Sequence, residues 1–67
     1  MTRYEYGQVM SVLSKLINQE RRNRDEFIKL NPFLADGRKR DCDIVCGYMV
    51  YAMHEMEKVC RPMLKED

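Results

Sequence analysis

The dipeptide Asn31-Pro32 divides the chain into two segments of similar length, and apolar residues recur every three or four positions in each segment. Proline lacks an amide hydrogen and disfavours helical geometry in the residue before it, so a helix is predicted to end here. Apolar residues at such intervals lie on one side of a helix, as core-facing residues do. The sequence therefore predicts two amphipathic helices joined by a short turn.

Two helices that meet at a short turn form an antiparallel all-α hairpin. We place the helices at about residues 3–30 and 38–61, with the turn at about 31–37. A chain of 67 residues makes a single small domain,.

The predicted helix starts depend on capping residues. Thr2 precedes Glu5 by three residues, which is the spacing of a capping box at the start of the first helix,. Asp36 or Asp41 is the predicted cap of the second helix, with Gly37 in the turn before it.

Both helices carry a long apolar stripe, and the two stripes are predicted to pack against each other. On the first helix the stripe consists of Tyr6, Val9, Leu13, Leu16, Phe27 and Leu30, flanked by Met10, Ile17 and Ile28. On the second it consists of Cys42, Val45, Met49, Ala52, Met56, Val59 and Met63, flanked by Cys46, Met53 and Cys60.

Polar residues interrupt the stripe of the first helix at Glu20, Asn23 and Arg24. One explanation is that the helix breaks between Asn18 and Asn23, which would give three helices instead of two. The other is that Glu20 and Arg24 pair on one helix face and form a polar layer in a core shared with another chain.

The second helix has a further apolar face, formed by Ile44, Tyr48 and Tyr51. A two-helix hairpin buries only one face of each helix, and monomers rarely leave contiguous apolar patches exposed. A third helix, a second copy of the chain or a different protein is therefore expected to cover this face. Tyrosine suits a protein interface because it combines a large contact area with a polar end.

A homodimer with a four-helix-bundle-like core is expected for a second reason. A chain of this size buries only about 60% of the surface that its unfolded form exposes, so a lone hairpin would be marginally stable. A partner chain is the usual support when disulfides and metals are lacking.

The three cysteines do not have the spacing of a disulfide framework,. Cys42 and Cys46 lie one helical turn apart and could share one soft metal ion, but Cys60 is about 27 Å further along a continuous helix. A structural zinc ion normally needs four ligands. The cysteines are therefore expected to be small buried hydrophobic residues, with no bound metal.

Catalysis is not expected either. The single histidine, His54, has neither the spacing of a zinc-protease helix nor that of a di-iron bundle, and the sequence has no glycine-rich phosphate loop,. We predict no cofactor and no enzymatic activity.

Two basic clusters are predicted to meet at the end of the hairpin that holds the turn. They are Arg21, Arg22 and Arg24 in the first helix and Arg38, Lys39 and Arg40 at the start of the second. Such a patch suits nucleic acid or an acidic protein. Neighbouring carboxylates oppose it, and the net charge of the whole chain is only +1,.

The sequence favours a small interaction protein that acts as a regulator, inhibitor or adaptor through a helical surface. A nucleic-acid-binding regulator and a thiol- or metal-responsive switch are the alternatives. No apolar run approaches the roughly 20 residues that a bilayer-spanning helix needs, and no secretory leader is evident, so a soluble, cytoplasmic protein is expected.

Overall fold

Two long helices fill the computed structural model, which describes residues 1–66. Helix α1 spans Arg3–Leu30 and helix α2 spans Ala35–Cys60. A 3-10 turn at Pro32–Leu34 connects them, and another at Arg61–Met63 follows α2. The helices are antiparallel, because Thr2 and Lys65 form a backbone bridge at the opposite end from the turn. The predicted all-α hairpin is confirmed.

Helix α1 is continuous from its capping box to its last turn. The Thr2 hydroxyl accepts a hydrogen bond from the Glu5 amide at 3.1 Å, and the Glu5 carboxylate accepts one from the Thr2 amide at 2.9 Å. At the other end, the Asn31 amide donates to the Phe27 carbonyl at 2.9 Å. The alternative of a break between residues 18 and 23 is therefore wrong.

Helix α2 begins earlier than predicted. Leu34 occupies its cap position without a side-chain hydrogen bond, and Gly37 lies inside the helix, so the predicted cap at Asp36 or Asp41 is wrong. The 3-10 turn makes a cap unnecessary, because its carbonyls accept hydrogen bonds from amides at the helix start. One of these bonds runs from the Ala35 amide to the Pro32 carbonyl.

The buried core is small and lies midway along the hairpin. Its members are Ile17 of α1 with Cys42 and Cys46 of α2, and Met49 and Met53 pack against them. The core is small because the hairpin is a single layer of helices, with Cα extents of 50 × 17 × 8 Å.

The buried line on each helix is rotated from the predicted stripe. Ile17 and Cys46, predicted as flanking residues, are buried, whereas Leu16, Val45 and Val59 are exposed. An apolar stripe of about 100° is wider than the strip that a single neighbouring helix covers. Each helix of the hairpin therefore keeps part of its apolar stripe outside the core.

Candidate interaction surfaces

The face formed by Ile44, Tyr48 and Tyr51, called here the tyrosine face, is open to solvent. The three residues are 47%, 74% and 62% exposed. With Asp43 and Gly47 they line a shallow, mainly apolar groove on the side of α2 that points away from α1. The hairpin itself leaves this face uncovered, and its binding of a partner stays a prediction.

Gly47 makes the groove possible. A Cβ atom placed on this residue would have no neighbour within 4 Å, so the helix has open space beside Tyr48 and Tyr51. Glycine inside a helix costs about 0.5–1 kcal/mol relative to alanine. Sequence reasoning did not single out Gly47, although a glycine between apolar residues of a helix was the available signal.

The two broad sides of the hairpin differ in polarity. Residues one position after a core residue lie on one broad side, because each residue of a helix is rotated by about 100° from the one before it. Ser14, Asn18 and Arg21 of α1 share a groove there with His54 and Glu57 of α2, and Met10 and Val50 line the same groove. We call this the polar side.

Residues one position before a core residue lie on the opposite broad side. The same rotation applies to both helices and the helices are antiparallel, so these residues fall on one surface. They include six exposed apolar residues: Val12, Leu16 and Phe27 of α1 and Val45, Ala52 and Val59 of α2. Gln19, Asn23 and Asp41 lie on the same side and interrupt the apolar residues in the half of the hairpin near the turn. We call this the apolar side.

The turn adds two exposed apolar residues that sequence reasoning missed, Phe33 at 101% and Leu34 at 57% exposure. Leu30, predicted to pack as the last residue of the α1 stripe, is 82% exposed beside them, so that prediction is wrong. Phe33 and Leu34 also line a groove with Phe27, next to the apolar side. The available signal was the pair of large apolar residues after Pro32, where a turn ordinarily carries polar residues.

The hypothesis that Glu20 and Arg24 pair with each other is wrong. Glu20 instead pairs with Arg38 across the two helices, with 2.6 Å between Oε1 and Nη1, and both side chains are about one-fifth exposed. Arg24 pairs with its neighbour Asp25 at 3.0 Å. The pairing with Glu20 raises the pKa of Arg38 above its ordinary value, chiefly through the hydrogen bond between them.

These ion pairs divide the predicted basic patch. Arg24 and Arg38 are half-buried and matched by carboxylates. The other four residues are exposed: Arg21, Arg22, Lys39 and Arg40.

The cysteines are free thiols, and two of them contribute to the core. The Sγ atoms of Cys42 and Cys46 lie 3.8 Å apart, and each also faces a backbone carbonyl of α1. Burial raises the pKa of the Cys42 thiol, with the hydrogen bond to Cys46 as the second cause. Within residues 1–66, no three His, Cys, Asp or Glu side chains are grouped so that they could hold a metal ion.

Comparisons with protein-family models, with curated proteins and with solved structures found no match. Neither helix in the described part of the chain has the length and apolar character needed to span a membrane. The fold and its exposed surfaces define the class of the protein as an all-α helical hairpin with more than one uncovered apolar face.

Proposed function

We propose that the protein is a non-enzymatic interaction module that binds another protein through the tyrosine face and acts as a regulator, inhibitor or adaptor. The observation that carries this proposal is the exposure of Ile44, Tyr48 and Tyr51 together around one groove. Monomeric proteins seldom expose apolar residues in such groups without a partner to cover them.

The composition of the groove supports a protein partner. The rings of Tyr48 and Tyr51 offer large apolar areas, and their hydroxyls can form hydrogen bonds at the rim of an interface. Tyrosine is among the residues that contribute most to binding energy in protein interfaces. The open space at Gly47 can accept an apolar side chain from the partner.

The free thiols suit a reducing compartment, and we propose that the protein acts in the cytoplasm,.

Affinity capture from the native host with the purified chain as bait tests this proposal. The Tyr48→Ala/Tyr51→Ala variant is expected to lose a prey protein that the unaltered chain captures. Tyr4→Ala is a matched control, because Tyr4 is also an exposed tyrosine but lies on α1. A prey list that is the same for all three baits would remove the tyrosine face from the binding site.

A groove-filling variant gives a second test that keeps both tyrosines. Gly47→Leu is expected to block capture by occupying the groove, whereas Gly7→Leu adds the same side chain to an equally open position on α1. Circular dichroism of both variants checks that the hairpin remains helical. Capture that survives Gly47→Leu would contradict insertion into this groove.

Nucleic acid is the weaker candidate partner. The carboxylates paired with Arg24 and Arg38 lower the positive potential of the basic patch. A gel-shift titration at two salt concentrations separates the candidates, because affinity that depends on phosphate contacts falls steeply as salt increases. We expect no retarded band even at low salt, and a salt-sensitive band would favour the nucleic-acid alternative.

A further inference from the structure

We infer that a second copy of this chain covers the apolar side, so that two hairpins pack broad side to broad side as a two-fold symmetric four-helix bundle. This places the dimer contact on Val12, Leu16, Phe27, Val45, Ala52 and Val59 and leaves most of the tyrosine face at the outer edge. The inference does not depend on the proposed partner of the tyrosine face.

The difference in polarity between the two broad sides favours the apolar side as the dimer contact. Leu16 and Val12 are each about half exposed, and Val45 and Val59 lie on the same surface of the neighbouring helix. On the opposite side, Ser14, Asn18, Arg21, His54 and Glu57 line the groove between the helices together with Met10 and Val50. The exposed large apolar side chains are therefore concentrated on the apolar side, which is the better suited of the two to burial in a helix bundle.

The accessible surface of the chain is larger than that of a compact monomer, which also favours a dimer. The accessible surface of the chain is 5426 Å². A compact monomer of 8.1 kDa is expected to expose about 4,500 Å²,. The difference of about 900 Å² is close to the roughly 800 Å² that each partner buries in a standard protein interface.

The distribution of apolar residues favours a second copy over a different protein. They occur towards both ends of the apolar side, from Phe27 near the turn to Val59 near the chain ends. A two-fold axis through the middle would set the turn end of one copy against the terminal end of the other, so both ends meet apolar surface.

The net charge opposes this pairing only weakly, although Asp41 places one exposed carboxylate on the apolar side. Each copy has a net charge of only +1, so two copies repel each other weakly,. Gln19 and Asn23, which interrupt the apolar side, already hydrogen-bond to each other at 3.0 Å. The Glu20–Arg38 ion pair neutralises the charges closest to the core.

The small core also favours self-association. Only Ile17, Cys42 and Cys46 are buried among the hydrophobic residues described. A hairpin with so little buried apolar area needs a companion that is always present, and a second copy meets that condition.

Sedimentation equilibrium of the full chain tests the inference over a range of micromolar concentrations. The expected mass is twice the chain mass of 8.1 kDa. Leu16→Glu places a carboxylate in the contact of both copies and is expected to raise the dimer dissociation constant by at least about 100-fold. Asn18→Glu is the matched control, because it puts the same charge on the polar side and is expected to leave the mass unchanged.

Thermal unfolding covers the case in which Leu16→Glu fails to fold. The melting temperature of the unaltered chain is expected to rise with protein concentration, because dimerisation stabilises the folded state by mass action. A folded species of 8.1 kDa with a concentration-independent melting temperature would overturn the inference. A trimer or larger assembly would overturn it as well, as would a dimer insensitive to Leu16→Glu.

The two proposals fail separately. Tyr51→Ala is expected to keep the dimer mass, because Tyr51 lies on the side of α2 that points away from α1. A dimer whose prey list is unchanged by Tyr48→Ala/Tyr51→Ala would contradict the tyrosine face alone. A native chain that is monomeric but still captures prey through those tyrosines would contradict the apolar side alone.

Discussion

Cys42 is the most completely buried residue of the described core, and burial controls the chemistry of its thiol. A thiol must lose its proton to become a nucleophile or a metal ligand. The raised pKa of Cys42 opposes that loss at neutral pH. At the residue scale, Cys42 therefore acts as a small apolar side chain with a weak hydrogen bond to the Glu20 carbonyl,.

Alkaline pH is expected to destabilise the hairpin through this thiol. The folded chain keeps the Cys42 proton at pH values where the unfolded thiol, with its ordinary pKa of 9.0, has lost it. The stabilising contribution is thus complete below about pH 9 and is lost as pH rises through the folded pKa. Urea unfolding at about pH 8 and about pH 10 measures this loss of unfolding free energy. The free energy of unfolding should fall less between the two pH values for Cys42→Ala than for the unaltered chain. An equal fall in the two would contradict the Cys42 thiol as the cause.

Glu20 shows how a polar residue can occupy the helix interface. Its partner Arg38 comes from the other helix and lies near the turn, where the two chain segments converge. The pair satisfies both charges at the edge of the core, next to Cys42. Sequence spacing suggested Arg24 as the partner, because two residues four positions apart on one helix are the nearest candidates when the second helix is not yet placed.

Helix α2 is continuous from Ala35 to Cys60 although it contains two glycines. It continues through Gly37 and Gly47, neither of which adopts positive φ, although glycine disfavours a helix,. Packing of Cys42 and Cys46 against α1 holds this part of the helix in place. At the element scale, glycine at 47 reduces helix stability and leaves the groove of the tyrosine face open.

Alanine at position 47 is expected to stabilise the hairpin. Gly47→Ala should raise the free energy of unfolding by about 0.5–1 kcal/mol, because alanine favours the helix and its methyl group meets no neighbouring atom,. Gly7→Ala, equally unobstructed inside α1, is the control and should have a similar effect. Urea unfolding of both variants measures the change. A loss of stability confined to Gly47→Ala would show that the position is not open.

The whole molecule is a flat, elongated layer rather than a sphere. The radius of gyration of its Cα atoms is 15.4 Å, whereas a compact domain of 67 residues is expected to have about 11 Å,. A second layer on the apolar side would thicken the molecule without lengthening it.

Small-angle scattering distinguishes this arrangement from an end-to-end pair. Two hairpins packed side by side about 10 Å apart would have a Cα radius of gyration of about 16 Å, close to the 15.4 Å of one hairpin,. End-to-end pairing along the 50 Å axis would raise it to about 29 Å,. The compact value combined with a dimeric mass is the expected result, and the extended value would contradict broad-side packing.

Local signals in the sequence determined the two helices, the start of α1 and its end. The Thr2–Glu5 capping box and the proline after Asn31 act within a few residues of themselves, so neither depends on the rest of the fold. The exposure of Ile44, Tyr48 and Tyr51 also followed from the sequence, because these residues lie nearly opposite the Cys/Met stripe of α2.

Only the tertiary structure decided which part of each apolar stripe became core. Ile17 rather than Leu16 is buried, and Cys46 rather than Val45, because the rotation of each helix about its axis is set by contact with the other helix,. The same contact chose Arg38 as the partner of Glu20. Periodicity restricts a residue to a face of its own helix, but the position of that face relative to a second helix is a property of the packed pair.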